Sequence, residues 1–144
     1  PNMKEQNFKN HSQLVFGWHG LTFFAILAVL IGSFINLNGS APENKYSASL
    51  ICVIALICCF FFAYVRIFAL KAQDRAIRAE ENLRHFALTG KLLPAQLRVG
   101  QIVALRFASD DEFPALAAKA AAENLSNKAI KLAIQNWRAD WYRV

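Results

Sequence analysis

Two long uncharged stretches dominate the pattern of apolar and polar positions. No Asp, Glu, Lys or Arg stands from position 10 to 42, and none from 46 to 65. An α-helix needs about 20 apolar residues to cross roughly 30 Å of hydrocarbon, where it satisfies its own backbone hydrogen bonds. The pattern predicts transmembrane helices at 14–37 and 47–70, joined by a periplasmic loop at 38–46 that contains Gly39 and Pro42. A cleaved signal peptide is the competing reading of the first stretch. It is disfavoured, because only Lys4 and Lys9 precede a stretch longer than the usual signal core, with no small-x-small site after it.

Small residues recur along both spans at helical spacing. In the first, Trp18, Leu21, Ala25, Ala28, Gly32 and Ile35 form a stripe; in the second, Ala48, Cys52, Ala55, Cys59 and Phe62 do, with Arg66 continuing the series. Small residues let helix backbones approach closely, which drives association where lipid removes the hydrophobic effect. The two stripes are therefore expected to form one antiparallel hairpin seam, with Ala25, Ala28, Gly32, Ala48, Cys52, Ala55 and Cys59 as packing residues. All three cysteines lie in the second span without metal-ligand or disulfide spacing, so they read as small apolar residues.

The second helix is expected to continue past Arg66 to about Leu88 before stopping at Gly90, for a length of roughly 60 Å. Asp74–Arg78, Glu80–Arg84 and Glu81–His85 support this extension at 71–89 as i,i+4 pairs. Ala69, Ala72, Ala76, Ala79, Leu83 and Phe86 make a thin apolar edge that wants a cover, from this chain or from another copy. Further helices are expected at 94–107, with Pro94 in the first turn, at 113–124, capped by the acidic run 109–112, and from Ser126 to about Arg138. Phe107, Phe113, Leu116, Ile130, Ile134 and Trp137 should gather into one small core packed on that edge. The fold class is thus an all-α membrane protein: a two-helix transmembrane hairpin, its second helix extended, with a small C-terminal helical domain at 90–144.

Charge sets the orientation. The formal net charge is +6, and basic residues concentrate in the tail 1–13 and after the second span, while the loop carries only Lys45 against Glu43. The positive-inside bias puts both termini in the cytoplasm. From Lys71 to Val144 the balance is 12 basic against 8 acidic residues, which suits an anionic lipid surface and is no nucleic-acid signature.

Candidate chemistry is sparse. His19, Thr22, Ser33 and Asn36 form a polar face that could line a pore or hold a headgroup, although such residues more often hydrogen-bond between helices. His11 and His19 stand about 12 Å apart on one helix, too far for one metal ion. Arg66 and Lys71 are placed to reach lipid headgroups by snorkelling. The stretch 113–134 approximates a helix-turn-helix with Asn124 at the turn and Lys128, Lys131 and Arg138 near phosphates, but Lys119 stands where a small apolar residue is expected. No nucleophile–base pair, phosphate loop or metal-spaced cluster occurs, so no enzyme activity, metal or cofactor is expected.

Several segments carry a family likeness: 6–11, Ile31-Gly32-Ser33, 73–78, 104–116 and Asn136-Trp137-Arg138. Together they resemble a family of small bacterial two-span membrane proteins known as a domain of unknown function, commonest in the Bacteroidota. The resemblance runs from Met3 over nearly the whole chain and implies a bacterial inner membrane and a cytoplasmic C-terminal region, with no activity attached. The expected function is a non-enzymatic, homo-oligomeric scaffold or accessory subunit in the lipid bilayer, with a further membrane protein as a candidate partner. A small oligomeric pore and a membrane-anchored nucleic-acid binder are the alternatives, and nucleic acid is not the expected partner.

Overall fold

The computed structural model describes residues 6–10 and 15–140. These are helical, with no strand among them and a single isolated bridge between Ala108 and Trp137. They divide into two units: 15–69, and 6–10 together with 70–140.

In the first unit a π-helical segment, Gly17–Thr22, leads into α1 (Phe23–Gly39). At the far end Ser40 turns extended, while the Ser40 hydroxyl and the Asn38 amide donate to the Asn36 and Phe34 carbonyls at 2.6 and 3.0 Å. A short 3₁₀ turn, Pro42–Asn44, then opens α2 (Lys45–Thr89). The two elements Gly17–Gly39 and Pro42–Thr89 have apolar stretches of mean hydropathy 2.2 and 2.7, long enough to cross a membrane.

On α2 the residues of the small-residue stripe lie on the covered side. Ala48, Cys52 and Ala55 are buried, and Cys59, Phe62 and Arg66 are half-buried. On α1 the expectation fails after its first member. Trp18 stacks on Phe62 with ring centroids 4.5 Å apart, but the covered residues beyond it are Thr22, Ile26, Leu30, Ser33 and Leu37. Ala25, Ala28 and Gly32 are exposed, and a Cβ on Gly32 would meet nothing within 4 Å. The π turn is the cause. It takes up one residue more than an α turn, so every later position is rotated by about 100° relative to Trp18. Thr22 stabilises the wide turn by donating from Oγ1 to the Gly17 carbonyl, five residues back, at 2.7 Å.

In the second unit α2 ends where Gly90 adopts φ +72°, with its N–H donating to the Phe86 carbonyl at 2.8 Å. The buried His85 ring then sits 2.7 Å from the Lys91 carbonyl, and Asn82 Oδ1 accepts from the Leu93 N–H at 2.9 Å, so the chain reverses along α2. Helix α3 (Val99–Leu105) starts later than the expected Pro94, which lies in a turn, because Gln101 Oε1 accepts from the extended Arg98 N–H at 2.8 Å. Helix α4 (Phe113–Ala122) closes with Asn124 at φ 48° and the Leu125 N–H on the Ala120 carbonyl, a Schellman ending. Helix α5 (Asn127–Ala133) begins as expected at Ser126, whose Oγ accepts from the Ala129 N–H at 3.1 Å. It stops short of Arg138 because Ile134 turns extended.

Phe107, Phe113, Leu116, Ile130 and Ile134 do form one core, with Leu97, Ile102, Leu105 and Ala120. Trp137 packs on its edge, 5.1 Å from the Phe107 ring. Helices α3 and α5 approach so closely that a Cβ on Gly100 would lie 2.6 Å from the Asn127 amide nitrogen. The acidic run has a different role from the expected cap. Glu112 has no side-chain cap bond; instead its carboxylate accepts from the Gln135 and Asn136 N–H groups at 3.1 Å and from Ser109 N–H at 3.4 Å. The Arg138 N–H and the Asn136 carbonyl complete the tie to the Phe107–Ser109 strip.

Glu112→Ala should therefore free the segment after α5 rather than fray α4. Losing charged acceptance of backbone N–H groups at a half-exposed site costs about 1–2 kcal/mol. Amide hydrogen exchange should show faster exchange at Gln135 and Asn136 with α4 protection unchanged; faster exchange along α4 instead would restore the capping role.

Candidate functional site

The polar side chains of the second unit converge on one cleft beside α2. Its cavity of about 520 Å³ is lined by Gln73, Ala76, Ile77, Glu80, Glu81, Arg106, Arg138, Ala139 and Asp140. A neighbouring pocket of about 290 Å³ shares Glu80, Glu81 and Arg138 and adds Arg84 and Asp110. The helical period explains the α2 contribution: 73, 77, 80, 81 and 84 fall on one side of the helix.

Arg84 is the hub. Its Nη1 donates to Glu81 at 2.9 Å, its Nε and Nη2 reach Asp110 at 2.7 Å, and its Nη2 also donates to the Ala108 carbonyl at 2.7 Å. The guanidinium lies 4.4 Å above the Phe113 ring, which also meets the His85 ring at 79°, with centroids 5.7 Å apart. Glu81, with a side chain only 7% exposed, has Arg138 as a second and looser partner at 3.9 Å. Arg106, equally buried, pairs with Asp140 at 3.1 Å and covers the Phe107 ring at 4.6 Å. Asp140 also ties the N-terminal segment: its N–H donates to Oε1 of buried Gln6 at 2.8 Å.

Charges buried this way need partners, and these have them. The arrangement ties α2 to Ala108, Asp110 and Arg138, and Asp140 ties residue 6 to the same C-terminal segment. The Gln73 and Ser109 side-chain oxygens are buried without a hydrogen-bond partner among the described residues. Gln73 lines the cleft, so a water molecule or another donor entering the cavity would satisfy it. Among the described residues, no group of three His, Cys, Asp or Glu side chains could hold a metal ion.

The residues singled out along the sequence lie elsewhere. His19 is exposed, with Nδ1 beside the Val15 backbone; Thr22 bonds its own helix; Ser33 is buried within the hairpin and donates to the Leu30 carbonyl at 2.7 Å; Asn36 is exposed. Thr22 and Ser33 thus satisfy themselves on the backbone of the π segment and of α1, on the covered face. His11 lies outside the described residues. Lys71 is exposed and Arg66 half-buried. Lys128 is exposed at the start of the seven-residue α5, and Lys131 stands 5.8 Å from the Phe107 ring. Of the expected i,i+4 pairs, Glu80–Arg84 and Glu81–His85 give way to Arg84 with Glu81 and Asp110. The burial of Glu81 and Arg106 is not legible locally, since Arg138 and Asp140, which reach them, stand tens of positions away.

A family of unknown function, DUF6526, matches residues 3–144. No curated protein and no solved structure matches the chain.

Proposed function

We infer that this chain, which belongs to the DUF6526 family, is an integral membrane protein of the bacterial inner membrane that works as a non-enzymatic, homo-oligomeric scaffold or accessory subunit. The observation that carries this reading is the exposure of the two apolar helices. Only 6% of the most apolar stretch of the first and 17% of that of the second is buried, whereas a core helix of a water-soluble protein is covered by its own chain. Phe16, Leu21, Phe24, Ile35, Phe60 and Phe61 are 63–83% exposed. Hydrocarbon is the solvent that such a surface fits. The exposed Ala25–Ala28–Gly32 edge of α1 fits close approach by another membrane helix. The internally compensated charges of the second unit fit a presented structural module more than a reacting centre.

In this reading residues 40–44 face the periplasm, and both tails with the helical unit face the cytoplasm. A cysteine placed at Ser40 should react with an impermeant thiol reagent added outside intact cells, and one placed after Val144 should not. The reversed pattern overturns the orientation, and release of the protein by alkaline carbonate overturns membrane integration. Mass measurement in native lipid discs should give a multiple of the 16.1 kDa chain; a strictly monomeric particle overturns the oligomer.

A further inference from the structure

The cytoplasmic half of α2 has two distinct faces. Ile77, Glu81 and His85 are buried and Arg84 half-buried beneath the helical domain, while Ala72, Ala76, Ala79, Leu83 and Phe86 are exposed. At about 100° per residue the centres of these faces stand roughly 150° apart, so the domain leaves the apolar one exposed, with Ala76 alone of it bordering the cleft. The spacings along it alternate four and three, the a/d pattern of a two-stranded coiled coil. In that register Arg75 holds a g position and Glu80 the following e position. Both are exposed, and neither has an ion pair among the described residues.

We propose that a second copy of this chain docks in parallel along the Ala72–Phe86 seam, with Arg75 of each copy pairing with Glu80 of the partner subunit. A parallel pair sets each g residue against the e residue five positions on in its neighbour, and two-fold symmetry makes the contact twice. An antiparallel pair sets e against e and g against g and loses this complementarity. Alanine at three of the five seam positions lets the backbones come close, and Leu83 and Phe86 provide the larger contacts at the far end. Two heptads are marginal in water, but two copies crossing one bilayer in the same sense meet in parallel and at high effective concentration. The inference thus rests on the membrane-scaffold reading and specifies which surface joins the copies.

Full-length protein in lipid discs tests it. Leu83→Cys should crosslink between copies under mild oxidation. Leu132→Cys, exposed on α5 away from the seam, should do so at least about fivefold less, and the parent with its native cysteines gives the background. Arg75→Glu should cut the Leu83→Cys crosslink by about fivefold or more, because two attractive pairs become repulsive. Adding Glu80→Arg to Arg75→Glu should restore it to within about twofold by reversing both pairs. Discs that remain oligomeric by mass with no preferential crosslink at Leu83→Cys overturn the seam and leave the scaffold standing. Failure of the double reversal to rescue overturns the parallel charge register. Monomeric discs overturn both the seam and the oligomeric reading.

Discussion

Phe113→Ala is expected to unfold the helical unit while leaving the two apolar helices intact. Phe113 is fully buried at the start of α4 and touches three groups at once: the core, the His85 ring and the Arg84 guanidinium. Removing a buried Phe side chain costs about 3–5 kcal/mol, through lost transfer energy and the cavity left behind. A domain of this size has a total stability of about 5–10 kcal/mol, so the loss takes a large share of it. The cation–π contact adds to the loss, because Arg84 then faces a void. Limited proteolysis of the membrane-reconstituted protein should show new cuts between Gly90 and Asp140. Phe113→Leu keeps most of the volume and should resist far better. Equal resistance of Phe113→Ala and the parent would show that the core is held elsewhere.

Arg84→Met is expected to be nearly as damaging, for an electrostatic reason. The Glu81 side chain is 7% exposed and has Arg84 at 2.9 Å and, among the described residues, only the looser Arg138 at 3.9 Å besides. Removing one member of a buried pair strands the other charge at a cost of about 3–5 kcal/mol. Met keeps an unbranched apolar chain but loses the guanidinium over Phe113 and the bonds to Glu81, Asp110 and the Ala108 carbonyl. Adding Glu81→Met removes the stranded charge, so the double variant should recover most of the lost protection, as measured by hydrogen exchange in 93–137. If the double variant is no better than Arg84→Met, the bonds to Asp110 and Ala108 carry the stability and the Glu81 pair does not.

The same residues show what was legible beforehand. Glu81 and Arg84 stand three apart on one helix and read as solvated surface charges; burial follows only once Asp110 and the Ala108 carbonyl arrive from far along the chain. Glu112 reads as a helix cap because it precedes α4, yet its carboxylate turns to the Gln135 and Asn136 N–H groups after α5. Trp137 reads as the largest core residue, but it lies on the rim while Phe107 and Phe113 fill the centre. Each case is a local pattern redirected by a partner that sequence spacing does not reveal.

What the sequence determined by itself is local or additive. Uncharged length made the two apolar helices, Gly90 and Ser126 set a helix end and a helix start, and periodic apolar residues in 107–134 named the core. These depend on residues within a few positions, or on sums over a window, so no distant contact can easily reverse them. Tertiary structure decided which face of each helix is covered. One π turn rotated Ala25, Ala28 and Gly32 out of the hairpin. On α2 the helical domain chose the polar Glu81–His85 face over the apolar Ala72–Phe86 edge. That choice is favourable because its polar groups meet partners on α2 itself, in residues 91–110 and at Arg138, and buried polar groups cost little once paired. A helix has several faces that can be buried, and the rest of the chain decides among them.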